Sequence, residues 1–209
     1  TRRSSDLTVQ RLKSMFDEEA ARLESVRREA NCDSLTGLAN RSHFLARLHQ
    51  ALEAEDSRGV GLILVRVADL AGINRRQGRA ATDDLLKRFA AVLQAADPQK
   101  EGLAARLNGA DFALLVLGQS GARAQAERLL PLLVQEAAPF VGEAPAAFIG
   151  VGVFARGTEM SAVLSQADAA LAAAEAEGVS TIRESGGAGA EDAPKSAEEW
   201  SRLIRNALE

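Results

Sequence analysis

The stretch RLNGADFALL, residues 106–115, carries the residues best placed to do chemistry. An Asn-Gly pair, Asn108-Gly109, stands between two apolar, strand-like runs. That pattern is the strongest short-range hairpin signal, because both residues accept the positive φ of a tight turn. The turn carries one acid, Asp111. It is either only a turn or a catalytic hairpin with parts missing, since a hard cation such as magnesium wants several carboxylate oxygens. Other ligating residues are sparse. The single cysteine, Cys32, excludes an internal disulfide and a thiolate metal cluster and fits a reducing compartment. His43 and His49 are six apart, so they would not share a helix face as a ligand pair and read as two solvent-facing histidines.

Around these residues lies an ordinary globular composition. The chain has 209 residues, 46% hydrophobic and 26% charged, with a formal net charge of -4. That is ample for a core. The acidic balance leaves no electrostatic footprint for nucleic acid. No run is long and apolar enough to cross a bilayer, and no signal-peptide pattern is present. The chain opens on Thr1 rather than Met, which predicts a piece of a longer protein with room for a membrane segment elsewhere.

The elements that must position the hairpin follow from periodicity. Residues 5–31 lack Gly and Pro, and Val9, Leu12, Phe16, Glu19, Leu23, Val26 and Ala30 recur at spacings of three and four. This a/d seam predicts a coiled-coil-like helix that pairs with a second copy. The alternative is a single helix packed on its own domain. Glu19 is a polar seam position, which lowers stability and can fix register or permit change. Asn40 is a good N-cap for a helix over about 41–55. Residues 61–67, GLILVRV, read as a buried strand. Residues 70–79 read as a polar stretch with two glycines, and Thr82 or Asp83 as the cap of a helix running to about 95. The hairpin strands span about 103–107 and 111–117, followed by a helix over about 121–137, a strand over 146–154, a helix over about 159–177 and a strand near 179–183. A hairpin mixed with crossover helices predicts an α+β fold with helices packed on a mixed sheet. Residues 184–195 have linker composition. Beyond them Ser196 and Glu199 form a capping box, and Trp200, Leu203, Ile204 and Leu208 form one apolar stripe.

Together these segments resemble the GGDEF family, the diguanylate cyclases, which condense two GTP into cyclic di-GMP. DSLTGLANR at 33–41 is a complete match, FIGVG at 148–152 is similar to a family strand, and ADAAL at 167–171 resembles the start of the last family helix. The likeness covers about 33–183 and implies a nucleotide-cyclase-like mixed sheet. It divides the chain into a signalling helix (1–32), the GGDEF domain (33–183), a linker (184–195) and a linker helix (196–209) leading to a further domain.

The family reaction is phosphoryl transfer, which depends on positioning and on metal ions that neutralise charge. The family acids at the end of the first strand correspond here to Arg66 and Ala68, and the usual lysine soon after to Ala71. Strand alternation would point Asp69 to the other face. In the signature, the third-position acid corresponds to Ala110, while Asp111 keeps the fourth. A guanidinium about 4 Å from a divalent cation, at an effective dielectric of ~20, repels by roughly 8 kcal/mol. The bland alternative is that Arg66 swings into solvent. The positions implied to hold triphosphate are Glu175 and Val179, and those of the inhibitory product site are Gln99 and Gly102. Asn74 and Asp83 match the positions implied to read guanine; alternatively Asn74 holds its loop and Asp83 caps a helix.

The resemblance therefore implies a degenerate, non-catalytic regulatory domain with no cofactor and no metal. Its final stretch resembles the helix that precedes EAL domains, and the arrangement resembles LapD-type inner-membrane receptors of cyclic di-GMP. The implied partners are a second copy through the N-terminal helix, a downstream EAL-like domain and other GGDEF proteins, with no direct membrane contact by this segment. The implied location is the cytoplasmic side of an inner membrane. The alternatives are a GTP-binding allosteric module without turnover and an active diguanylate cyclase.

Overall fold

A computed structural model describes residues 2–55, 59–96, 102–118 and 121–185 of the chain. The elements are α1 (Arg2–Asn31), α2 (Arg41–Glu53), β1 (Val60–Val67), α3 (Leu70–Ala95), β2 (Leu103–Arg106), β3 (Asp111–Leu117), α4 (Ala122–Val141), β4 (Ala147–Phe154), α5 (Met160–Ala176) and β5 (Thr181–Ser185). Residues 186–209, which hold the expected linker and the Trp200 stripe, lie outside the described residues.

The five strands form one mixed sheet in the order β2-β3-β1-β4-β5. All neighbours are antiparallel except β4 and β5, which are parallel. This is the mixed α/β arrangement expected from the sequence. β1 is central, and its apolar run over residues 60–65 follows from burial on both faces, with Arg66 breaking the run near its end. Alternation sends Ile63 and Val65 to the face covered by α3 and α4, with Phe112, Leu114 and Ile149. It sends Leu62 and Leu64 to the face covered by α2 and α5, with Leu115 and Phe154. Gly150 sets the height of α5 on β4. A Cβ there would lie 2.5 Å from the Leu171 backbone nitrogen, so only glycine admits the helix so close.

Several expected boundaries shift. The stretch 70–79 is not a loop: its residues 70–77 are the first half of α3, capped by Asp69, whose Oδ1 accepts from the Gly72 amide at 3.0 Å. Gly78, at φ 83°, kinks α3 into two segments. Thr82 is consequently inside the helix, donating to the Gly78 carbonyl at 3.1 Å rather than capping it. α4 runs past 137 to Val141 with Pro131 and Pro139 inside it. Both prolines are exposed, on the side of the helix away from its buried stripe. His43 is half-buried rather than solvent-facing, while His49 is exposed beside Glu53.

α1 does not pack on its own domain along its described face. Met15, Leu23 and Val26 are exposed, and Phe16 is 73% exposed. Glu19 shares that exposed face; the side chains of Val9 and Leu12 lie outside the described set. Asn40 ties the end of α1 to the start of α2. Its Oδ1 accepts from the His43 amide at 3.0 Å, and its Nδ2 donates to the Ala30 carbonyl at 2.7 Å.

Candidate functional site

Arg66 stands at the end of β1, on the α2/α5 face of the sheet by alternation. The β1–β3 register places it directly opposite Asp111. The pair is a two-pronged ion pair. Arg66 Nε donates to Asp111 Oδ1 at 2.7 Å and Nη2 donates to Oδ2 at 3.1 Å. The remaining prong, Nη1, donates to Glu175 Oε2 at 2.7 Å. Glu175 comes from the last turn of α5, the helix that Gly150 brings down onto β4. A planar guanidinium presents a fork that suits two carboxylates at once. The hydrogen bonds to Asp111, with the charges of both acids, hold Arg66 above its ordinary range against a desolvation cost. Arg66 therefore does not swing into solvent.

The turn is built around the same acid. Asn108 Nδ2 donates to Asp111 Oδ2 at 2.8 Å, and Asn108 Oδ1 accepts from the amides of Ala110 and Asp111 at 3.3 and 3.2 Å. Neither Asn108 nor Gly109 has a positive φ, contrary to the tight-turn expectation. The loop closes instead by the Leu107 amide donating to the Asp111 carbonyl at 2.8 Å, with the Asn108 side chain replacing a backbone partner. Arg106, which the sequence reading passed over, braces this turn. Its Nη2 donates to the Gly109 carbonyl at 2.9 Å and its Nη1 to Asp33 Oδ1 at 3.3 Å. Burial alone would raise the Asp33 pKa. The hydroxyl and amide of Thr36, together with Arg106, outweigh it and hold Asp33 below the ordinary carboxylate range. Asp33 thereby links the loop after α1 to the hairpin.

The other sequence-predicted positions do not join this network. Ala68 is buried. Asp69 is not on the strand, so alternation does not apply to it. β1 ends at Val67, and Asp69 is a left-handed cap, at φ 42°, paired with Arg76 at 3.0 Å. Ala71 is exposed on α3. Asn74 and Asp83 lie on opposite sides of the Gly78 kink. Thr82 Oγ1 is 3.5 Å from Asn74 Oδ1, and Asp83 is 3.7 Å from Arg79. Val179 is exposed beyond α5. Gly102 is half-buried just before β2, and Gln99 lies outside the described residues.

The family reaction would need a divalent cation, and these donors are already committed elsewhere. The Asp111 carboxylate already accepts three hydrogen bonds, two of them from a fixed positive charge, and Glu175 accepts from the same guanidinium. Among the described residues no group of three or more His, Cys, Asp or Glu is arranged to hold a metal ion. These residues do not fit the cation. What they can do chemically is hold β1, the hairpin and α5 together through one arginine.

A family model described as "Diguanylate cyclase, GGDEF domain" matches residues 30–181. An uncharacterised signalling protein of Caulobacter vibrioides is 31% identical over 188 residues, covering 86% of this chain and 23% of that protein. The chain spans less than half the length of the curated relatives it matches. Among solved structures, the coiled coil and GGDEF domain of DgcB from Caulobacter crescentus, in complex with c-di-GMP, matches with TM-score 0.69 at 26% identity, covering 85% of this chain and 98% of that one. The S helix-GGDEF-EAL structure of Vibrio cholerae LapD, bound to c-di-GMP, shares the fold with TM-score 0.71 at 19% identity, covering 92% of this chain and 46% of that one.

Proposed function

The chain belongs to the GGDEF family, and from that membership we propose that it is a degenerate member, a regulatory module that does not condense GTP. The observation that carries this reading is the Asp111–Arg66–Glu175 network. Metal-assisted phosphoryl transfer requires cations to neutralise the developing charge. Here a side-chain cation fills that role for two side-chain acids, and the site's charge is spent within the protein. Glu175 adds a negative charge where the resemblance implies triphosphate, and neither Ala68 nor Ala110 supplies a side-chain oxygen ligand.

The module would relay a signal between an upstream sensor and a downstream cyclic di-GMP-binding EAL-like domain. Two features support this. α1 presents an unpartnered apolar stripe that fits a second copy, so Phe16, Glu19, Leu23 and Val26, continued by Val9 and Leu12, would form a homodimer seam. The end of α1 is also wired to the hairpin, through Asn40 at α2 and through Asp33 to Arg106. The LapD structure places an S helix before and an EAL domain after a domain of this fold. In a protein so built this segment would sit on the cytoplasmic side of an inner membrane, with other GGDEF proteins as further partners. The domain limits would be 1–32, 33–183, 184–195 and 196–209.

A second reading, GTP binding without turnover, rests on Asn74 and Asp83 keeping polar edges at the kink of α3. The test of inactivity is incubation with GTP and magnesium, followed by chromatographic detection of cyclic di-GMP. None is expected. Accumulation proportional to enzyme concentration would overturn the proposal.

A further inference from the structure

We propose that Asn108 is a self-modifying residue: the hairpin turn promotes cyclisation of its side chain onto the Gly109 nitrogen, and water then opens the ring to leave an acid at position 108. Asn108 alone among the five asparagines is followed by glycine. Glycine puts no side chain beside the attacking nitrogen. The space around Gly109 is open, since a Cβ there would meet nothing within 4 Å. Both residues are exposed, so water reaches them.

The turn supplies the parts that this reaction needs. The nucleophile is the Gly109 amide nitrogen, whose N–H donates to no described group. It must lose its proton to react. The carbonyl of that same peptide, on Asn108, accepts from Arg106 Nε at 3.2 Å. The negative charge of a deprotonated amide is shared between its nitrogen and its carbonyl oxygen. A guanidinium held on that oxygen therefore favours loss of the proton. Arg106 is fixed there by its second contact, Nη2 donating to the Gly109 carbonyl at 2.9 Å.

The electrophile is Asn108 Cγ. Its Oδ1 accepts from the Ala110 and Asp111 amides at 3.3 and 3.2 Å. Charge develops on that oxygen as the nitrogen adds, and the two amides stand where it develops. The leaving group is Nδ2, which donates to Asp111 Oδ2 at 2.8 Å. That bond holds the side-chain amide with its oxygen toward the two donors.

The steps balance with water as the only reagent. Water takes the Gly109 amide proton. The nitrogen then bonds to Cγ and closes a succinimide ring. The Cγ–Nδ2 bond breaks, and the side-chain nitrogen leaves as ammonia with a proton returned from water. A second water adds to one of the two ring carbonyls. Breaking the new N–Cγ bond leaves aspartate in an ordinary backbone. Breaking the original peptide C–N bond leaves isoaspartate, with the main chain routed through Cβ and Cγ.

Either product changes the hairpin. An acid at position 108 cannot donate to Asp111, and it adds a negative charge beside that carboxylate. Isoaspartate also lengthens the main chain of the turn that sets Asp111 opposite Arg66. The tie among β1, the hairpin and α5 then weakens irreversibly as the chain ages, without a second enzyme. The chemistry is the same whether or not the domain turns over GTP.

The test incubates the 209-residue chain at mildly alkaline pH, folded or held in guanidinium chloride, and follows the Asn108 peptide by mass spectrometry. Conversion is read as the mass gain of exchanging an amide NH2 for OH, and isoaspartate by enzymatic methylation. The folded chain is expected to convert several-fold faster than the denatured one. Arg106→Met is expected to slow the folded rate several-fold and to leave the denatured rate unchanged. Gly109→Ala is expected to suppress conversion in both. The converted chain, separated by ion exchange, is expected to melt below its parent. Conversion no faster in the folded chain than in the denatured one overturns the proposal, because the turn then protects Asn108 or ignores it. So does a folded rate indifferent to Arg106→Met. Should that variant fail to fold, the folded-against-denatured comparison of the parent chain decides alone.

Discussion

Replacing Arg66 by methionine keeps an unbranched stem of four atoms and removes the guanidinium and its charge. Asp111 is then left facing Asn108 alone, and Glu175 loses its cation. The Arg66 and Asp111 side chains are 29% and 16% exposed, and the pair makes two hydrogen bonds. That lies between an exposed pair, worth about 0.2–1 kcal/mol, and a buried one, whose partner costs about 3–5 kcal/mol to remove. An intermediate site predicts a loss of about 2 kcal/mol. At about 2–4 °C per kcal/mol for a domain of this size, Tm should fall by about 4–8 °C. The Glu175 side chain is 48% exposed, so Glu175→Gln should cost under about 1 kcal/mol. Thermal unfolding followed by circular dichroism reads all three chains. In an Asp111→Asn background the Arg66→Met loss should shrink by at least about 1 kcal/mol, the coupling of the pair. An Arg66→Met chain that melts with its parent would refute the assignment of Arg66 as the tie among β1, the hairpin and α5. So would a Glu175→Gln chain that loses as much as Arg66→Met.

Two further outcomes follow from α1 and the loop after it. Glu19→Leu should strengthen self-association, since it removes the acid from an exposed apolar stripe, and sedimentation velocity should show more dimer at a given concentration; an unchanged profile would rule out the seam. Asp33→Asn should lower Tm at neutral pH. Because the folded Asp33 pKa is depressed, its contribution is full above the unfolded carboxylate value and disappears as pH falls through the folded one. The Tm gap between parent and variant should therefore close on acidification below the ordinary carboxylate range, and a gap that stays constant would show that the Asp33 charge is irrelevant.

Much of the scaffold was legible in the sequence because its signals are local. The GLILVRV strand, the Asn40 cap and the alternation in β3 each need only a few neighbouring residues. The first half of α3 was hidden for an equally local reason. Its cap is an Asp in the left-handed region, and Gly72 and Gly78 read as loop residues although the first accepts a tight cap and the second only kinks the helix. The hairpin was read in the right place with the wrong backbone, since the Asn108 side chain closes the turn without positive φ. The composition of the site was legible residue by residue, but its geometry was not. Arg66 and Glu175 are 109 positions apart, and no local pattern tells whether two changed residues meet. Arg106 escaped notice because its partners, Asp33 and the Gly109 carbonyl, are joined to it only by the fold.

The claim that an internal arginine stands in place of cation and phosphate is tested most directly by calorimetric titration of the chain with GTP and magnesium. Protein near ~100 μM keeps binding with a dissociation constant of about a millimolar within view. The account predicts no saturable heat, with or without magnesium. Saturable, magnesium-dependent heat that disappears on substituting Asn74 or Asp83 would contradict it and establish a nucleotide site at the kink of α3.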